Sequence, residues 1–312
     1  MQVGIGVCIG ISMGKGQDQM DLLQMNLMEA MQQRHAVRAY TDQPVDDSIC
    51  QSLQSLIDDL NARSGLHMQM VCGVDDAFLG LPTHHGRFTG VHNAIALIGK
   101  PGVDTVGTVN DGAADAGAVD RATIDVASQS PAVNGGSTRS TQGWDKSNAQ
   151  DIAATDPAEI ALQEAVGYYG ELVVLHALQL GLATSWAVLD NAHAVHNPWW
   201  QAQTDEQVIW FIAFGYPARV LTRRRTKPIE ELCQLPQGMS IEDAPQWFLQ
   251  GMHAAMVAPT SLSQQPFMFT LHADGTVSAQ ATEGLFAHVG LGCAVCHFEI
   301  ASGVTPTTAL NV

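Results

Sequence analysis

The stretch Arg34-His35-Ala36-Val37-Arg38-Ala39-Tyr40-Thr41-Asp42-Gln43-Pro44-Val45 sets two arginines on an extended segment between two helices. Before it, Leu22, Met25, Leu27 or Met28, and Met31 recur at three- and four-residue steps, which predicts an amphipathic helix from Asp21 to about Arg34. After it, Asp46 and Asp47 open a second helix, striped by Ile49, Leu53, Leu56, Ile57 and Leu60 and closed by Gly65. Between the helices, at a strand's period of two, Arg34 and Arg38 point the same way.

Cations are scarce enough for their positions to matter. The chain has 312 residues with 14 Lys and Arg against 31 Asp and Glu, a net charge of −17. Arg219, Arg223, Arg224, Arg225 and Lys227 nevertheless fall within nine consecutive positions. With Arg34 and Arg38 they could clamp a phosphate, since the guanidinium fork matches that geometry. Equally, they could be surface residues paired with the abundant acids, Glu230 and Glu231 among them.

Further along, residues 66–73 alternate as a strand and 91–98 read as another. Residues 160–182 form a long helix, apolar nearly all round its second half, which marks it as central. Two buried strands follow at 184–189 and 208–214. The last third reads as helix (244–257), turn, strand (267–272), turn, strand (276–280) and helix (about 285–302). Strands and helices pair throughout, so the class is α+β or α/β. Residues 101–156 are rich in Gly, Ala, Asp, Ser and Thr and have no sustained hydrophobic period, as expected of a disordered insertion. Residues 1–20 read as a disordered N-terminal extension, 21–304 as the interrupted domain and 305–312 as a C-terminal tail.

Composition excludes several functions. The acidic balance repels nucleic acid and anionic membranes, and no uninterrupted apolar run reaches the length of a membrane span. Six scattered cysteines and no legible secretion signal fit a reducing cytoplasm. Cys293-Ala-Val-Cys296-His297 matches haem-attachment spacing, but it lies in a helical apolar pattern where cysteine packs as a small hydrophobe. His84 and His85 are adjacent and would diverge on a strand, and no metal motif is expected. P-loop, G-x-S-x-G and complete dinucleotide fingerprints are absent from the sequence.

The segment 258–266 lies between a helix and a strand, and Thr260, Ser261, Ser263, Gln264 and Gln265 give it a run of hydroxyls and amides. Such groups both donate and accept, so the loop could read the polar edge of a heterocycle; it could also be an ordinary turn.

Taken in order, these pieces resemble the nitroreductase superfamily. Residues 34–45 resemble the end of that family's first helix, with its Arg-(Arg/His)-Ser-x-(Arg/Lys) motif. Gly167-Tyr-Tyr-Gly-Glu171 through Gly181-Leu182 resembles its central helix, and Ile212-Ala-Phe-Gly215-Tyr-Pro217 its late strand. Residues 258–265 resemble its Ala-Pro-Ser-x-x-Asn-x-Gln loop. Because the arginine motif and this loop lie in different halves of one chain, the arrangement is similar to the "putative TM nitroreductase" subgroup, in which one chain mimics the usual dimer. The resemblance implies a three-layer α/β/α sandwich of the α+β class with an internal pseudo-dimer, and so a monomer.

It further implies bound FMN, reduced by NADH or NADPH and reoxidised by a nitroaromatic, quinone or similar small electron-poor acceptor. Arg34, His35, Ala36, Arg38, Arg225 and Lys227 would hold the phosphate and the pyrimidine side of the ring. Pro259, Thr260, Ser261, Ser263 and Gln265 would line the ring or ribityl chain, with Val188 and Leu189 near its reactive nitrogen. Ala36 replaces a serine and Ser263 an asparagine of the family pattern, which leaves a non-catalytic flavin or anion binder as the alternative.

Overall fold

The computed structural model describes residues 26–102, 156–219 and 225–308. The expected N-terminal extension and nearly all of the expected insertion therefore lie outside the described residues.

The first helix, α1 (Leu27–Gln33), starts later than its apolar spacing predicts. Asn26 is extended, and its side chain accepts from the Glu29 N–H at 2.9 Å while Glu29 accepts from the Asn26 N–H at 3.2 Å, a capping box that fixes the helix start. The second, α2 (Asp47–Ser64), follows its pattern closely, with Ile49, Leu53, Ile57 and Leu60 buried and Gly65 left-handed at the end. After it, β1 (Gln69–Val71) is shorter than the alternation of residues 66–73 implies. The N–H groups of Leu66 and Met68 go instead to the side chains of Ser64 and Asn61, which keeps that part of the chain on α2.

The strands β1, β2 (Ala94–Gly99), β3 (Ala183–Ala187) and β4 (Gln207–Gly215) form an antiparallel sheet in the order β1-β2-β4-β3. Its period of two divides the core: Trp210, Ile212 and Phe214 face the helices, while Phe211 and Ala213 face Phe78 and Trp200 on the other side. The helix on the first side is α3 (Pro157–Gln179), buried on every face as its apolar sequence predicts. A second sheet joins β5 (Cys233–Gln234) parallel to β6 (Phe267–Leu271), and β6 antiparallel to β7 (Val277–Ala281). The helices α4 (Gln246–Ala255) and α5 (Ala287–Ser302) cover it. The fold is thus α+β, with α3 and α5 packed together in the middle, one sheet beyond each.

Two local features go beyond the sequence reading. Within the expected tail, Thr307 pairs beside β7, with Thr307 N–H donating to Val277 O and Ala279 N–H to Thr307 O, both at 2.9 Å. The cysteines are not all isolated either, since the sulfurs of Cys50 and Cys72 come within 2.7 Å. Cys293 and Cys296 do pack in the core on α5, where burial pushes both thiols well above their ordinary range. No helix among the described residues is long and apolar enough to cross a membrane.

Candidate active site

The segment that follows α1 is held extended by borrowed backbone bonds rather than by a strand partner of its own. Ala36 bridges Thr184 of β3, Val37 N–H donates to Thr184 O at 2.9 Å, and Tyr40 N–H donates to Thr89 O at 3.0 Å. Val37 and Tyr40 are buried beneath it, and the Tyr40 hydroxyl donates to the Val37 carbonyl at 2.5 Å. Burial pushes that phenol far above its ordinary range. With the apolar residues anchored inward, Arg34, Ala36 and Arg38 form one wall of a cavity of about 690 Å³.

The facing wall is the loop after α4. Leu262, Ser263 and Gln265 have φ of 52°, 56° and 47°, a left-handed conformation that non-glycine residues hold only when their surroundings impose it. Gln265 supplies the constraint. Its amide is 2% exposed; Oε1 accepts from Lys227 N–H at 2.6 Å, and Nε2 donates to Met256 O at 2.9 Å and Thr226 Oγ1 at 3.1 Å. Its own N–H donates to Thr260 Oγ1 at 3.0 Å. Gln265→Leu would strand a buried N–H and carbonyl, an expected loss of about 1–3 kcal/mol in urea unfolding. Faster proteolytic cleavage within residues 256–265 should accompany it; an unchanged loop would show that Gln265 is not the latch.

The floor is aromatic. Trp186 and Trp210 meet edge to face at 5.9 Å, Phe286 packs on Trp210 at 4.7 Å, and Val289, Gly290 and Cys293 of α5 close the base. Among the described residues lining the cavity there is no Asp or Glu, whereas Arg34, Arg38 and Arg225 are there. In a chain of net charge −17 this is a local reversal of sign.

Arg34 is also part of the core. Its Nε lies 3.8 Å from Glu171 Oε1, and its Nη2 donates to Val257 O at 3.4 Å. Glu171, fully buried on α3, accepts from Trp186 Nε1 at 3.1 Å and faces His297 Nε2 at 2.9 Å. The other His297 nitrogen meets Ala254 O at 3.0 Å. This buried group ties α1, α3, α4 and α5 together directly under the cavity.

All but two of the residues expected at the site line this cavity. Leu189 turns into the core beyond the sheet, and the Lys227 ammonium instead donates to the Gln265 carbonyl at 3.3 Å. Arg219 borders a separate hollow of about 260 Å³ with Arg38 and Arg87, and Arg223 and Arg224 lie outside the described residues. The sequence reading of His84 and His85 needs correction. They sit in a turn rather than on a strand, so they converge, with ring centroids 4.4 Å apart, and both line the cavity. Their adjacency was the available signal, but only the bridge between Thr83 and Leu189 aims them.

Comparison with known proteins gives the family. The family model described as "Putative TM nitroreductase" matches residues 26–109 and 134–302, more than half of the chain. No curated protein matches. Among solved structures, a "putative nitroreductase" from Thermotoga maritima is 16% identical, with a TM-score of 0.47 over 89% of this chain and 83% of its own. A second one, from Desulfovibrio desulfuricans in complex with FMN, is 16% identical, with a TM-score of 0.37 over 67% and 95%. An FMN-dependent nitroreductase from Clostridium difficile is 14% identical, with a TM-score of 0.33 over 66% and 94%.

Proposed function

Given that this chain belongs to the "Putative TM nitroreductase" family, we propose that it is an FMN-dependent oxidoreductase that takes reducing equivalents from NADH or NADPH and passes them to a small electron-poor acceptor. One observation carries the reading: among its described lining residues the cavity has arginines and no acid, with an aromatic floor and a hydroxyl-bearing loop. Its 690 Å³ falls within the roughly 300–1,000 Å³ of small-molecule sites. These groups fit FMN, which needs cations for its phosphate, apolar surface for its ring and hydroxyl partners for its polar edge.

When bound, FMN supplies the hydride and electron chemistry that no side chain here can perform. The chain's own residues bind, orient and shield. Arg38 and Arg225 would hold the phosphate, while Arg34, tied to Glu171, holds that wall of the cavity in place. Thr260, Ser261 and Ser263 offer hydroxyls on the loop that Gln265 holds rigid, and Trp186, Trp210 and Phe286 keep water from the base of the cavity. We also propose that the chain acts as a monomer, its two sheets and the α3–α5 pair standing as an internal pseudo-dimer; sedimentation reads this directly.

A visible absorption spectrum of the purified protein, before and after added FMN, tests the reading. The expected result is bound flavin bands, with flavin affinity at least about 100-fold weaker in Arg38→Ala/Arg225→Ala, the loss of two charge-assisted contacts. Arg34 is left out of that variant because its removal would also break the core. A chain that takes up no flavin would end the proposal. Ala36 and Ser263, which remove a hydroxyl and an amide from the family pattern, favour a second reading, a flavin or anion binder without turnover. Sustained NAD(P)H oxidation with a quinone would exclude that.

A further inference from the structure

We propose that His84, positioned by Asp190, is the proton donor to the electron acceptor bound in this cavity. The inference rests on the oxidoreductase reading above and names a group that neither the family pattern nor the sequence reading assigns.

Both residues sit on backbone that is locked. Thr83 bridges Leu189, His84 N–H donates to Val188 O at 2.9 Å, and Asp190 N–H donates to Pro82 O at 2.8 Å. This short ladder brings His84 Nδ1 to 3.4 Å from Asp190 Oδ1, with the two side chains 15% and 4% exposed. A carboxylate at Nδ1 accepts one N–H of the imidazolium and leaves the Nε2 N–H as the one that can meet a ligand. The ring is wedged edge to face between His85, at 4.4 Å, and Phe286, at 6.1 Å.

The other candidates in the lining are weaker. Arginines keep their protons at neutral pH, and burial raises the Cys293 thiol far out of range. His35 bonds its Nδ1 to Gln33 O at 2.7 Å and stands next to Arg34, whose positive charge disfavours a second cation beside it. His85 is held below the ordinary imidazole range by burial first, then by His84 and Arg38; Asp190 opposes them. Among the described residues, the charged and titratable groups that contact His84 are Asp190 and His85, Arg38 acts on His85, and Phe286 adds only an apolar face.

The chemistry balances for a quinone. A nicotinamide donor is oxidised to its cation and gives up a hydride equivalent, which carries both electrons and one hydrogen. The His84 imidazolium N–H bond breaks, its electron pair stays on nitrogen, and the proton completes the second O–H of the hydroquinone. Solvent at the cavity mouth reprotonates His84.

Two acceptors separate this role from a structural one, because benzoquinone needs the proton and ferricyanide takes an electron alone. In FMN-loaded His84→Gln, benzoquinone reduction should fall about 100-fold. Ferricyanide reduction and flavin bleaching by NAD(P)H should stay within about twofold. Equal losses with both acceptors, or an unchanged quinone rate, would overturn the proposal while leaving the flavin reading intact; failure to take up FMN overturns both. In the flavin-free chain, imidazole NMR reads the contact without turnover: the His84 Nδ1 resonance should shift in Asp190→Ala, which removes the carboxylate 3.4 Å away, and an unmoved resonance would remove Asp190 from the assignment.

Discussion

Replacing Gly292 with alanine is expected to destabilise the chain by about 3 kcal/mol, the upper part of the range for overpacking a tight core. An added Cβ would lie 2.1 Å from the Glu164 carbonyl oxygen and 2.8 Å from Tyr168 N, backbone atoms of α3 that cannot rotate away. Gly167 is its counterpart on α3, where a Cβ would lie 2.1 Å from the Val289 carbonyl oxygen. The two helices therefore touch backbone to backbone at this crossing, and either alanine forces them apart. Because Val289, Gly290 and Cys293 of α5 form the cavity floor, the displacement should also weaken flavin binding. Gly181→Ala is the control: Gly181 has φ of +81° and nothing within 4 Å of an added Cβ, so it should cost only the left-handed strain, about 1–2 kcal/mol. Urea unfolding that finds Gly292→Ala no worse than Gly181→Ala would rule out the close crossing.

Glu171→Ala should be as damaging by a different route, about 3–5 kcal/mol, because it removes the carboxylate that the buried Arg34 guanidinium and His297 imidazole share. It also strands the Trp186 indole N–H, which donates to Glu171 at 3.1 Å. Glu171→Gln keeps the shape and one acceptor but not the charge, and should fall between the two. Tryptophan fluorescence follows the transition from within, as Trp186 is part of the cluster. A loss below about 1 kcal/mol for Glu171→Ala would mean that the arginine finds another partner and that the cluster is not a core element.

Much of the fold was legible. The stripe of α2, the left-handed Gly65 and the all-round apolar α3 are local patterns whose periods match the observed burial. Boundaries were less so: α1 begins at a capping box rather than where its apolar spacing begins, because a cap satisfies orphan N–H groups that periodicity ignores. The two-residue β5 has no period at all and exists only because β6 lies beside it.

At the site, the sequence by itself determined the ingredients: the arginine pair, the basic residues near 225, the hydroxyl-rich loop, and the scarcity of cations that made them conspicuous. What each one does follows from the folded arrangement. It committed Arg34 to Glu171, turned Lys227 and Gln265 into a latch for the loop, and brought His84 and His85 into the cavity, with Asp190 behind His84. The physical reason is range. Helical stripes, caps and charge scarcity are read within a few residues along the chain, whereas the partner of a buried charge or the aim of a loop histidine is set by groups more than a hundred residues away.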